Sequence, residues 1–252
     1  MDQKDLATEN NRSEIYIYPG RLTNHSYKAY RATHMLIAGN QSDTDAFVDN
    51  LIVRLCQENN PRDFGVCLFT DSETIWNKAV DEEETRYMPQ IRHVYQNGDL
   101  NDAVKFLEEV SGKILERTEH NIRTSSWKHR FCIMHISYDL YKQLITKLES
   151  WSEIIFKNFV NVYFILAVYS DKDVSMDLNI AGTDIPLRVC CASVSSGTSK
   201  SIVGSDIAPT GDGNSFFIKY ALDKNLNYMY QCRFPKTFIY KFIRYYGVKR
   251  DG

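Results

Sequence analysis

Eight residues, Gly39-Asn40-Gln41-Ser42-Asp43-Thr44-Asp45-Ala46, follow the apolar run Met35-Leu36-Ile37-Ala38. An apolar strand opening into eight such positions is the way a phosphate cradle of the pattern G-x-x-x-x-G-K-[ST] is built. In that pattern backbone amides and the lysine ammonium surround the phosphates, and the last hydroxyl ligates magnesium. This chain keeps the length and the first glycine. The second glycine position carries Thr44, the lysine position Asp45 and the hydroxyl position Ala46. Lysine to aspartate reverses the sign of the local charge. At roughly 4 Å and an effective dielectric near 20, one unit charge pair is worth about 4 kcal/mol. Thr44 is β-branched and resists backbone conformations that glycine adopts freely. Taken by themselves, these residues predict a strand-to-helix turn with Asp43 or Asp45 near the helix N-terminus, where the dipole favours a carboxylate.

Other chemistry-bearing residues are isolated. His135 lies three residues from Cys132, but i and i+3 on a strand face opposite sides, which predicts a core histidine and no metal ligand. Ser137, Ser193 and Ser196 stand outside any G-x-S-x-G context, so no serine nucleophile is expected. Lys236, Lys241, Arg244, Lys249 and Arg250 are interleaved with Phe242, Tyr245 and Tyr246. That pattern predicts a terminal helix with packed aromatics and solvated charges. Residues 81–84 read as a solvated acidic turn or helix end.

Apolar runs of strand length alternate with helical periodicity, which predicts an α/β fold with a mostly parallel sheet buried on both faces. Strands are expected at 34–39, 65–70, 88–95, 131–136, 160–168 and 187–192. Helices are expected at about 47–59, 100–120, 138–149 and 235–246. A break is predicted at Asn97-Gly98-Asp99, loops at 121–129 and, leading into a short helix, 193–201, and a turn at 211–214. Edge strands are expected at 215–220 and 228–234. With 252 residues and 43% hydrophobic content, one domain over 15–252 is expected after a frayed lead-in at 1–14 that lacks the apolar core of a signal peptide. Thirty basic against 32 acidic residues give a net charge of −2, so nucleic acid is not an expected partner. Six cysteines without C-x-x-C spacing predict reduced core thiols. The longest apolar stretch, 162–169, falls far short of the ~20 residues that cross a bilayer.

The ordered set of motifs resembles the FtsK/SpoIIIE family of ring-forming motor ATPases. His34-Met35-Leu36-Ile37-Ala38-Gly39 matches the strand before that family's loop. Ile133-Met134-His135-Ile136-Ser137-Tyr138-Asp139-Leu140 matches a second strand, with His135 and Ile136 where the family has two Walker B acids. Ala167-Val168-Tyr169-Ser170 matches a sensor run, with Tyr169 and Ser170 in place of its polar readers. Ile185-Pro186-Leu187-Arg188, Ser199-Lys200-Ser201-Ile202-Val203 and Gly211-Asp212-Gly213-Asn214 extend the likeness to about residues 15–246. The resemblance implies a RecA-like P-loop core with helices on both faces. Within that family the chain is most similar to the C-terminal ATPase-like module of the type VII secretion motor of Gram-positive bacteria. That implies a cytoplasmic domain of a membrane-anchored motor, with neighbouring ATPase modules, secreted proteins and copies of itself in a hexamer as partners. It also implies loss of ATP hydrolysis, with ATP and magnesium held only if the altered loop still binds them. The alternative within the resemblance is an ATP-dependent DNA translocase or conjugative coupling protein.

Overall fold

The computed structural model describes residues 14–22, 26–119, 128–158, 160–172, 174–180, 185–208, 211, 214–221 and 225–249. Most of the expected lead-in, most of the 121–129 loop, two residues of the 211–214 turn and Arg250 lie outside these.

Among the described residues, twelve strands and five α-helices follow one another along the chain. They are β1 (Tyr16–Ile17), β2 (Tyr30–Arg31), β3 (Met35–Gly39), α1 (Gln41–Glu58), β4 (Phe64–Thr70), β5 (Arg86–Tyr87), β6 (Ile91–Tyr95), α2 (Leu100–Glu119) and β7 (His129–Ser137). Then come α3 (Tyr138–Lys157), β8 (Val162–Tyr169), β9 (Leu187–Cys191), α4 (Ser196–Val203), β10 (Ser215–Tyr220), β11 (Leu226–Tyr230), α5 (Lys236–Tyr246) and β12 (Val248–Lys249). A 3-10 turn, Ile75–Ala79, precedes β5. Eight strands form one sheet in the order β11-β10-β9-β3-β8-β7-β4-β6. From β9 to β6 all neighbours are parallel; β10 and β11 add an antiparallel edge. The α/β architecture and the two-sided burial are therefore as the apolar runs predict.

Strand alternation sends successive side chains to opposite faces. Met35 and Ile37, Phe131 and Ile133, and Tyr163 and Ile165 pack against Phe47 and Leu51 of α1 and Ile239 and Phe242 of α5. Leu36 and Ala38, Met134 and Ile136, and Phe164 and Leu166 face Leu107 and Val110 of α2, Leu144 and Leu148 of α3 and Ile202 of α4. Five cysteines are buried in these layers, and Cys232 is half-buried.

Several boundaries differ from expectation: α1 begins at Gln41 rather than near 47, and α3 runs on to Lys157, past the expected end at 149. The last edge strand is Leu226–Tyr230, not 228–234, because residues 231–235 leave the sheet to reach α5, whose N-cap position is Pro235. The 88–95 segment pairs only from Ile91, since Met88 turns back to the 3-10 segment through its amide on the Ala79 carbonyl, 2.9 Å. The predicted break at Asn97-Gly98 is present. Asn97 has φ 54°, and the Gly98 amide donates to the Thr70 carbonyl at 3.1 Å. A Cβ on Gly98 would lie 2.5 Å from the Phe69 ring. Gly98→Ala is therefore expected to destabilise the fold by about 1–3 kcal/mol through overpacking, measured by urea denaturation; an unchanged midpoint would contradict this packing.

Candidate functional site

The crevice outside the carboxyl ends of parallel strands is where ligands bind in open α/β sheets. Here that edge is formed by the ends of β3, β4, β7 and β8. The eight residues read as a loop are not one: only Asn40 separates β3 from α1, and Gln41 through Ala46 are helical. The reason is local. Asn40 Oδ1 accepts the Asp43 amide at 2.8 Å, an N-cap that starts the helix at once. The sequence carried that signal, an Asn followed three residues later by an acid, beneath the eight-residue spacing.

The first turn of a helix leaves amides without helical partners. Here the Gln41 amide donates to Asp171 Oδ1, 3.0 Å, and the Asn40 amide to Ser193 Oγ, 3.0 Å. Arg233 clamps the same turn, donating to Ser42 Oγ at 3.0 Å and to the Asp43 carboxylate. Gln231 donates to the Asp43 carbonyl. Asp171, Ser193, Arg233 and Gln231 were not among the residues expected at the site. They lie 130 or more residues from their partners, and nothing in local spacing marks them. Gly39 suits its place because a Cβ would meet Cys191 at 3.0 Å and the Thr44 methyl at 3.1 Å.

His135 reaches this turn across the intervening β8. Its Nε2 lies 2.9 Å from Thr44 Oγ1. The threonine hydroxyl donates back to the Asn40 or Gln41 carbonyl, so the histidine nitrogen is the donor, which assigns the Nε2–H tautomer. The bare Nδ1 then faces Asp45 Oδ1 at 3.5 Å. Burial holds the imidazole down at about 4, with Asp71 opposing, so it is neutral near pH 7. Ile136 does not join the site. Strand alternation turns it into the opposite core layer, where it is fully buried; of the two Walker B positions only His135 reaches the α1 turn.

Tyr169 stacks obliquely on His135, centroids 5.0 Å apart, and its hydroxyl donates to Asp71 Oδ1 at 2.9 Å. Asp71 Oδ2 accepts the Ser137 amide at 2.9 Å and hydroxyl at 2.6 Å. One carboxylate thus ties the ends of β4, β7 and β8. Ser170 donates its amide to the Gly39 carbonyl at 3.1 Å and borders a 290 Å³ cavity with Asn40, Asp171 and Ser193.

Beside it a 440 Å³ cleft is lined by Gln41, Ser42, Asp45, Ala46, Asp49, Asp171, Arg233, Phe234 and Lys236. Burial raises the Asp45 carboxyl to about 6, with Lys236 opposing and Asp171 adding to the shift; its side chain remains 48% exposed, so water moderates the effect. Burial raises Asp49 to about 7 although Trp76 Nε1 donates to it at 2.8 Å. Among the described residues no group of three His, Cys, Asp or Glu side chains could hold a metal ion, and no helix is long and apolar enough to cross a membrane.

The α5 helix borders this cleft through Lys236. Ile239, Phe242 and Ile243 are buried, but Phe238, Tyr245 and Tyr246 are exposed. The expectation that its aromatics all pack is corrected at Tyr245, which is 79% exposed; Phe238 and Tyr246 lie at the margin of the buried stripe, their rings against Phe242.

No protein-family model matches the sequence, and no curated protein does. Solved structures do match in fold. The cytoplasmic domain of the Thermomonospora curvata type VII secretion ATPase EccC aligns with TM-score 0.63 at 12% identity, over 88% of this chain and 29% of that one. The pCW3 conjugation coupling protein TcpA aligns with TM-score 0.59 at 12% identity, over 97% and 73%. EssC (ATPases 2 and 3) from Geobacillus thermodenitrificans aligns with TM-score 0.55 at 12% identity, over 87% and 44%. The chain therefore spans less than half the length of the two secretion ATPases.

Raised Asp49 and lowered His135 pull stability in opposite directions as pH rises. Between about pH 4 and 7 the native state holds protons on Asp49 that the unfolded state has released, so this group costs stability as pH rises. Native His135 has already lost a proton that the unfolded state keeps up to about 6.5, so it adds stability over the same range. Asp49→Asn removes the first effect and can keep the Trp76 bond. It is expected to stabilise the protein more at pH 8 than at pH 5, by a difference on the order of 1–2 kcal/mol after solvent screening; equal effects at both pH values in urea titrations would refute the assignment. Asn40→Ala should cost about 1 kcal/mol by loss of the cap, read from the same titrations. The chain has the α/β RecA-like fold of the FtsK/SpoIIIE-type motor ATPases.

Proposed function

We propose that this domain is a non-hydrolysing module of a multi-module protein secretion motor of the type VII kind, acting in assembly, regulation or substrate engagement rather than in fuel turnover. Asp171 carries the reading. Its carboxylate accepts the Gln41 amide, the kind of helix N-terminal donor that a phosphate requires. Asn40 takes the Asp43 amide in the same turn.

The residues present do not fit a nucleotide with its magnesium. The cleft presents Asp45 and Asp171 to incoming phosphate, the hydroxyl position is Ala46, and neutral His135 spends its Nε2–H on Thr44. Phosphoryl transfer relies on electrostatic stabilisation of developing negative charge, and two carboxylates supply the opposite. No step of hydrolysis is therefore assigned to any residue here.

The fold likeness to cytoplasmic parts of secretion ATPases supports a cytoplasmic place beside neighbouring modules of a membrane-anchored motor. The chain corresponds to less than half of either relative, as one module of several would. Alignment to 97% of this chain favours a second reading, a conjugative coupling domain acting on DNA; the net charge of −2 weighs against it.

Calorimetric titration of the purified domain with ATP and magnesium is expected to give no binding tied to the α1 turn, and a phosphate-release assay no turnover. Micromolar, magnesium-dependent ATP binding that Asp45→Lys strengthens would overturn the reading. Duplex DNA titrated by fluorescence anisotropy at 0.15 M salt should leave the anisotropy flat; saturable binding would favour the coupling domain.

A further inference from the structure

At the opposite, amino-terminal edge of the sheet a third cavity, of 200 Å³, is lined by Phe64, Gly65, Arg92, His93, Arg117, Lys128, His129 and Arg130. Four of these eight residues carry formal cations and none is an acid. Their convergence depends on three features of different elements. The pairing of β4 with β6 slips between Val66 and Cys67, which oppose Ile91 and His93 and leave Arg92 as the extra residue. Such a bulge re-aims a side chain, and bulges are over-represented next to active sites. Arg92 then lies across Gly65, where a Cβ would come within 3.2 Å of its Cγ. From α2, Arg117 enters with 7% exposure, its guanidinium fixed by the Val160, Asn161 and Lys128 carbonyls at 2.9–3.0 Å. Those carbonyl partners fix the position of this guanidinium. From β7 come Lys128, just before the strand, and Arg130 within it.

Among the described residues, Arg92, Lys128 and Arg130 make no ion pair and no side-chain hydrogen bond. Burial lowers Arg117 to about 10, and the charge of Arg130 is the next cause; the guanidinium stays charged at pH 7 and feels its neighbour. Like charges gathered in one partly enclosed space are relieved by an anion. A single carboxylate would offset only one of the charges on Arg92, Lys128 and Arg130. A tetrahedral dianion offers oxygens in several directions, matching cations that approach from β6, β7 and α2, and guanidinium forks bind phosphate oxygens in pairs. The cavity is smaller than the ~300 Å³ at which drug-sized sites begin, which suits one or two phosphoryl groups.

We propose that this cavity, lined by Arg92, Arg117, Lys128 and Arg130, is a binding site for a small phosphate-bearing anion, separate from the α1 turn. The site is independent of the reading given under Proposed function. Orthophosphate, pyrophosphate and ATP without magnesium would be titrated into the whole domain at low ionic strength, by calorimetry and by amide NMR shifts. The expected result is one pyrophosphate per chain, with shifts centred on Gly65, Arg92 and Arg130. Arg92→Ala, an exposed position near the sheet edge, should weaken binding at least tenfold and Lys128→Ala should weaken it less, while Lys241→Ala on α5 should change nothing. Uptake of ATP with the same shifts would name the source as a nucleotide phosphate; uptake of orthophosphate or pyrophosphate alone would name a free anion. Absence of saturable binding, binding that Arg92→Ala leaves intact, or shifts confined to Gln41 through Asp45 would overturn the site, and only the last would also count against the non-hydrolysing reading.

Discussion

A helix that begins one residue after a buried strand aims its unpartnered amides straight out of the sheet edge, and those donors need hydrogen-bond acceptors. In this chain the partners are internal. Asp171, at the end of β8, and Asn40, within the turn itself, accept the amides of Gln41 and Asp43. Asp171 therefore couples the turn to a strand neighbouring β3, Ser193 couples it to the segment after β9, and Arg233 couples it to the approach to α5. Removing the internal carboxylate would expose a donor at the point where four elements meet.

The inverted charge at position 45 has consequences beyond the lost lysine. Asp45 and Asp49 lie one turn apart on α1, and the charge of Asp45 adds to the cost of ionising Asp49. Lys236 at the start of α5 opposes both, so the terminal helix answers the reversal electrostatically. His135 fits the same arrangement. A carboxylate at that position would face Asp45 at close range, whereas a neutral imidazole donates to Thr44 and presents only a lone pair to the acid. Asp71, Ser137 and Tyr169 then close the strand ends with one acceptor serving three donors.

Much of the scaffold was legible because buried parallel strands are continuous apolar runs, as in Val162–Tyr169, and because helices α2 and α3 repeat leucine and valine at three- and four-residue intervals. The edge strand β11 was placed two residues late because its half-buried residues lack such a run. The start of α1 was hidden for another reason: motif spacing suggested a loop, while the capping pair Asn40 and Asp43 specified a helix. Ile136 was assigned to the site by motif alignment, although strand alternation from Phe131 and Ile133 already put it on the far face. Asp171 and Arg233 could not be read at all, since their roles depend on contacts between residues 130 and more than 180 positions apart. The cation-lined cavity was equally silent, because it requires a bulge in β6 and a turn of α2 to meet.

The distribution of thiols leaves one cysteine half-buried and five enclosed. Five cysteines are enclosed by the core, and burial raises Cys56, Cys190 and Cys191 far from the reactive thiolate form. Cys232 alone meets solvent in part, next to the Tyr27 hydroxyl at 3.5 Å and one residue before the arginine that grips α1. A maleimide fluorophore or spin label would therefore attach there without engineering, and would report on the joint between the cleft and the terminal helix.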